Sequence, residues 1–374
     1  MENVKKYSIF YATNRSHEGS NQWQPKRYGK SFSKDGAENL RFGKVEVLAD
    51  SSKVKKYLNK KIKDLGIGDG EGLGSYLSKC SKKAKIKAYR EGLNKKLPDS
   101  SQDKSKFGST GFFSDLKKKM DKGSDVLIYI HGYNVSWEDA VGSAISLKES
   151  LNNNLDSSSK EIEIVLFSWP SDGSMMPFTA YKSDRLDAKN SGYSFGRGIL
   201  KVVDFFEKLR SEVMQKKNTL CNQEIHLLCH SMGNYVLQNA LEKIIKFSPS
   251  NNLRAVFSNI FLCAADVDEN VFEDGRPMER LHELTRSITV YHNEGDSPLM
   301  ISDKTKGNPR RLGQSGPARP NIIHDKIKQV DCTRVVHGIV EHSYYLNGNV
   351  NKDIARLSSL KLWQLKSELR SRNF

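Results

Sequence analysis

No long apolar stretch follows the first residues, Met1-Glu2-Asn3-Val4-Lys5-Lys6, so neither a secretory leader nor a membrane span is expected, and the chain reads as soluble and cytoplasmic. Cysteine is scarce. The five residues Cys80, Cys221, Cys229, Cys263 and Cys332 are scattered, odd in number and without CxxC or Cys/His metal spacing, which fits a reducing compartment. There is no P-loop, no dinucleotide glycine fingerprint and no metal cluster, so nothing in the sequence requires a cofactor. Internal repeats and long low-complexity segments are also missing.

What is abundant is positive charge, and its placement is uneven. The formal net charge is +16, and residues 51–122 hold 20 Lys and Arg against 8 Asp and Glu. Within that segment, Lys53-Val54-Lys55-Lys56-Tyr57-Leu58-Asn59-Lys60-Lys61 and Lys82-Lys83-Ala84-Lys85-Ile86-Lys87 read as basic, partly amphipathic helices. Such a surface is either a solvated face or a docking face for an anionic membrane, nucleic acid or an acidic protein. Nucleic acid ranks last, because no recognisable binding motif accompanies the charge.

At 374 residues the chain can bury a substantial core. It reads as a single domain over 1–374, with 51–122 as a basic, largely helical insertion. Short apolar runs alternate with helical patterns, the signature of a mostly parallel sheet with helices on both faces. Tyr7–Ala12 and Lys44–Leu48 read as early strands that pair antiparallel; regular strands follow at Val126–Ile130, Ile162–Phe167, Ile225–Leu228, Ile260–Ala264 and Ile288–His292. Helices are expected over Phe113–Met120, Trp137–Leu151, Gly192–Val213 and Tyr235–Phe247, and a long loop over Gly307–Pro320.

The most informative residues are Cys229-His230-Ser231-Met232-Gly233, set between the apolar run Glu224–Leu228 and the helical stretch Tyr235–Leu241. This spacing predicts a nucleophile elbow, a strained strand-to-helix turn that lifts a serine hydroxyl above the end of a sheet. The positions two before and two after the serine must be small. Gly233 meets that demand, and Cys229 stands where glycine is usual. A second strand end, Ile130-His131-Gly132-Tyr133-Asn134, offers the N–H of Tyr133 to join that of Met232 as an oxyanion hole, with His131 and Gly132 supporting the loop.

Serine needs a base. Chains built on such an elbow run in the order serine, acid, histidine, so of nine histidines only those beyond Ser231 qualify. His342 comes after all the expected strands and is preferred over His337 and His324; His230, next to the serine, reads as packed or supporting. For the acid, Asp296 and Asp266 each follow a strand, and the later one, Asp296, is preferred, leaving Asp266 to cap a turn or line the pocket. Trp169 and Tyr181 either shape an acyl pocket or, in the case of Trp169-Pro170-Ser171, belong to a rigid turn with a packed tryptophan.

Taken in order, Phe10–Arg15, Arg41–Val47, His131–Asn134, Phe167–Ser171, Tyr181–Arg185, His230–Asn234, Asp296 and His342–Tyr345 cover most of the chain. In these segments it resembles a bacterial α/β-hydrolase family of poorly defined function in the esterase/lipase superfamily. The resemblance implies Ser231, Asp296 and His342 as a triad and an α/β-hydrolase fold. It departs from the family pattern after the second strand, where Leu48-Ala49-Asp50-Ser51-Ser52 and the basic region replace a Pro-, His- and Gly-containing segment, so substrate access is altered on that side.

The expected activity is therefore a serine hydrolase that cleaves carboxylic esters, lipid esters included, without a metal. Amides, thioesters and acyl transfer use the same machinery. The alternative from another class is a noncatalytic interaction protein on a hydrolase scaffold, binding an acidic partner through its basic face. An anionic membrane surface near the active-site rim would make the enzyme peripheral at the membrane.

Overall fold

The computed structural model describes residues 3–91, 107–171, 177–214, 223–248, 251–299, 309–336 and 342–360. Four strands come first: β1 (Val4–Thr13), β2 (Arg15–Glu18), β3 (Arg27–Phe32) and β4 (Arg41–Asp50). The basic region contributes α1 (Ser51–Leu58), β5 (Lys61–Ile62), β6 (Gly66–Ile67), α2 (Gly70–Ser81), β7 (Lys85–Ala88) and α3 (Gly108–Asp121). Then the alternation becomes regular, with β8 (Asp125–Ile130), α4 (Trp137–Asn154), β9 (Ile162–Ser168), α5 (Pro177–Met214), β10 (Ile225–His230) and α6 (Gly233–Phe247). The chain continues through β11 (Phe257–Cys263), β12 (Thr285–His292), β13 (Ile327–Asp331) and α7 (Gly348–Ser359).

Nine of these strands form one sheet in the order β13-β12-β11-β10-β8-β9-β1-β4-β7. The seven from β13 to β1 run parallel, and the β1–β4 and β4–β7 pairs are antiparallel. Every residue of β8, β9, β10 and β11 is buried, as strands covered on both faces require. One face packs against α3, α5 and α6 through residues such as Phe112, Phe195 and Val236. The other packs against α2, α4 and α7 through Leu73, Trp137, Ile145 and Ile354. This is the mostly parallel sheet with helices on both faces expected from the alternation. No described helix is long and apolar enough to cross a membrane.

Two local readings need correction. The stretch Lys82–Lys87 is not a helix: α2 ends at Ser81, and Lys85–Ala88 form β7, paired with Glu46–Gly43 of β4. Its side chains alternate between exposed and buried, so Ile86 and Ala88 face the core while Lys85 and Lys87 face water, a two-residue period that only a strand satisfies. The stretch expected as a long loop contains a helical turn at Leu312–Ser315, and its Arg311 is 1% exposed; Gly307 and Asn308 lie outside the described residues. Residues 92–106 of the basic segment lie outside them as well.

Candidate active site

The turn between β10 and α6 holds Ser231 at φ +53°, in the left-handed region that non-glycine residues enter at a cost of about 1–3 kcal/mol. The surroundings fix it there. Ser231 N–H donates to the Cys263 carbonyl at 3.0 Å, while its own carbonyl accepts from Asp266 N–H and from the backbone and side-chain amides of Asn234. Cys229 is fully buried and Gly233 abuts the end of β8, where a Cβ would lie 2.7 Å from the Ile130 carbonyl oxygen. No side chain caps the start of α6 at Met232, so its first-turn N–H groups keep their partial positive charge at the serine.

The loop after β8 lies directly on this turn. A Cβ on Gly132 would come within 2.7 Å of Ser231 Cβ, so only glycine brings the Gly132-Tyr133 backbone so close. His131 is fully buried beneath it. Its Nδ1–H donates to the Gly132 carbonyl at 2.9 Å, and its Nε2 accepts from Trp169 N–H at 3.2 Å. Trp169 stacks on the His131 ring and returns an indole N–H bond to the His131 carbonyl, which makes it the packed tryptophan of a rigid turn rather than a pocket wall.

Beneath the loop sit two charges to which the motif reading assigned no role. Arg15, 1% exposed, donates to the Val135 and Gly29 carbonyls and to Ser168 Oγ, and burial pulls its guanidinium down to about 9. Asp184, fully buried on α5, accepts from Ser171 Oγ at 2.6 Å and from Asn134 N–H at 3.4 Å. Together they hold Asn134 and Val135, adjacent residues of the segment that follows Gly132. The contacts by which they reach this loop cross 120 and 50 residues of sequence, so the only available signal was an arginine and an aspartate in otherwise apolar or polar motifs.

His342 and Asp296 are brought together. His342 Nδ1 lies 2.8 Å from Asp296 Oδ2 and 3.0 Å from Oδ1, with the carboxylate completely buried beyond the end of β12. The His342 carbonyl accepts from His230 Nε2–H at 3.1 Å, and the two rings are 4.7 Å apart, so the residue before Ser231 anchors this segment. Tyr344 and Tyr345 pin it further. Tyr344 Oη donates to the Tyr291 carbonyl and accepts from Ala264 N–H, tying it to the ends of β11 and β12, while Tyr345 Oη meets Tyr129 Oη at 2.6 Å.

The other candidates sit differently. Asp266 is engaged by Arg311 Nε at 3.3 Å and by Tyr181 Oη at 2.7 Å, and Tyr181 in turn accepts from Arg185. Tyr181 also approaches Tyr133, with ring centres 6.0 Å apart, which places it beside the Gly132 loop. His324 stacks on His282 and precedes β13, at the amino end of the sheet and opposite Ser231. His337 lies outside the described residues.

Burial also makes the buried histidines poor proton carriers. It lowers His131 to about 3 and His226 to about 4, and it pushes His230 well below its ordinary value, helped by the neighbouring His342. The unfolded chain takes up these protons near pH 6.5 and the folded chain does not. Between pH 6.5 and about 4 the unfolded state therefore binds more protons, and stability falls with pH by up to about 1.4 kcal/mol per unit for each histidine. Glu71, Glu91 and Glu149, raised by burial, act in the opposite sense, so a differential measurement isolates the histidine share. The melting temperature of His226→Gln should fall less steeply from pH 7.5 to 5 than that of the native chain. Parallel curves would contradict this account.

A family model described as "Alpha/beta hydrolase of unknown function (DUF900)" matches residues 108–357. No curated protein matches the chain. Among solved structures, Trichoderma reesei cutinase in complex with a C11Y4 phosphonate inhibitor is similar over 67% of this chain and 84% of that chain, at 15% identity and a TM-score of 0.26.

Proposed function

The chain belongs to this alpha/beta hydrolase family of unknown function, and from the geometry of its site we propose that it is a serine hydrolase acting on carboxylic esters, lipid esters included. The observation that carries this reading is Ser231, held at φ +53° at the strand-to-helix turn while His342, paired with the buried Asp296, is anchored to the residue beside it. Asp296 holds the imidazole with Nδ1 inward, leaving Nε2 as the nitrogen that takes a proton. Ser231 Oγ attacks the ester carbonyl carbon as its proton passes to His342. The Met232 and Tyr133 N–H groups hold the resulting oxyanion, each contributing about 3 kcal/mol in comparable sites.

Collapse of the intermediate breaks the C–O bond, and His342 returns the proton to the departing alcohol. Water then attacks the acyl-serine, the same ring accepts its proton, and the carboxylic acid leaves as Ser231 is regenerated. A fluorophosphonate probe tests the reading directly. The native chain should be labelled on Ser231 alone, and Ser231→Ala should not be labelled. A folded native chain that stays unlabelled would overturn it in favour of a noncatalytic scaffold that binds an acidic partner.

A further inference from the structure

Helices α5 and α6 run side by side in the same direction: a Cβ on Gly192 would lie 2.6 Å from Asn239 Cβ, and one on Gly196 would lie 3.0 Å from the Ala240 carbonyl oxygen. The turns of α5 that precede Gly192 therefore flank the start of α6, beside the elbow. Arg185 is there. Its guanidinium carbon stands 3.8 Å from the centre of the ring of Tyr235, in the first turn of α6, and its Nη1 donates to Tyr181 Oη at 3.2 Å. A guanidinium carries five N–H donors, and the half-buried Arg185 shows this one hydrogen bond and no ion pair among the described residues. Asp266 does not supply the missing partner: Tyr181 Oη donates to its Oδ2 at 2.7 Å, and Arg311 Nε lies 3.3 Å from its Oδ1. A cation drawn out of water with most of its donors unused is completed by an anion from outside the fold.

The side of the sheet decides what that anion is attached to. Tyr133, Tyr181 and Tyr235 pack against the face covered by α3, α5 and α6, whereas Tyr344 and Tyr345, which follow His342, belong to the opposite face. In the tetrahedral intermediate the departing oxygen points to the ring that protonates it, and the oxyanion occupies the pair of N–H groups. The acyl chain takes the direction that remains, away from His342 and toward Tyr181 and Arg185. We propose that Arg185 binds a carboxylate at the far end of the acyl chain, so that the preferred substrates are monoesters of dicarboxylic acids. This substrate class rests on the serine-hydrolase reading of Ser231, and the net charge of +16 acts in the same sense by drawing anions to the protein.

Two aryl esters test it on the full chain: the monoester of glutaric acid, and the ester of valeric acid, which has the same carbon chain without the distal carboxylate. The ratio of their kcat/KM values should favour the glutarate about 10- to 100-fold. Arg185→Gln should lower that ratio at least tenfold. Arg185→Lys, which keeps the charge but loses the fork and serves if the first variant fails to fold, should give a ratio between the two. Lys182→Gln, the same loss of charge at an exposed neighbouring position, should leave the ratio as it is. Melting curves establish that each variant is folded. A native ratio near or below one, a ratio indifferent to the folded Arg185 variants, one lowered as much by Lys182→Gln, or a chain labelled on Ser231 that cleaves neither ester overturns the assignment and leaves the hydrolase reading standing. Turnover of neither ester, with Ser231 unlabelled by the fluorophosphonate probe, overturns the hydrolase reading and the assignment with it.

Discussion

Ser231→Ala and His342→Ala should each lower ester turnover on the order of 10⁴-fold or more, and the double variant should be scarcely worse than either. The near-equality follows from the chemistry: the hydroxyl cannot attack without a base, and the base has nothing to activate without the hydroxyl. The fold should survive the first change. The bonds that fix the elbow are made by the Ser231 backbone, its N–H to Cys263 and its carbonyl to Asn234 and Asp266, so removing Oγ leaves them in place. The second should survive as well, because Tyr344, Tyr345 and the His342 carbonyl, rather than the imidazole, tie the segment to the sheet. Turnover of a short-chain aryl ester, with circular dichroism alongside, provides the measurement. Ser231→Ala within tenfold of native would place the chemistry elsewhere, and an active His342→Ala would move the base to His337.

The parts of this arrangement that were legible in the sequence are those encoded by neighbours. Ile225–His230 and Phe257–Cys263 are mostly apolar runs without a lysine, arginine or carboxylate, because strands covered by helices on both faces have no solvent side to mark with charged residues. The elbow was legible for the same reason: the demand for small residues at 229 and 233 acts over five positions of sequence. Strand β7 was not. Within a six-residue stretch that holds four lysines, Lys82–Lys87, it read as a helix by charge, and the alternation of Ile86 and Ala88 gains meaning only once β4 supplies an edge with which to pair.

The supports were out of reach for a related reason. Arg15 and Asp184 meet the loop after β8 from 120 and 50 residues away, and nothing local distinguishes a buried, bonded arginine from a solvated one. The acid shows where the limit falls. Asp266 and Asp296 both follow a strand at the carboxyl edge, so topology narrows the choice to two and cannot go further. What separates them in space is Arg311, buried in a stretch whose glycine and proline content read as loop, which comes within ion-pairing reach of both Asp266 and Asp268.

That difference yields opposite expected outcomes for two equivalent substitutions. Asp296→Asn removes the charge from a carboxylate whose two oxygens lie 2.8 and 3.0 Å from His342 Nδ1, and which faces no cation among its described hydrogen bonds. The amide keeps the shape of the site but neither enforces the inward Nδ1–H tautomer nor stabilises the imidazolium, so turnover should fall about 10⁴-fold with little loss of melting temperature. Asp266→Asn leaves the pair intact and takes a partner from the buried Arg311, which retains Asp268. Its cost should appear in stability, about 3 kcal/mol, near the lower end for a broken buried ion pair, with turnover reduced less than tenfold. Thermal melts and ester kinetics on both variants decide the matter: if Asp266→Asn loses the activity and Asp296→Asn only stability, the acid belongs to the earlier strand, and the contact between His342 and Asp296 serves the fold alone.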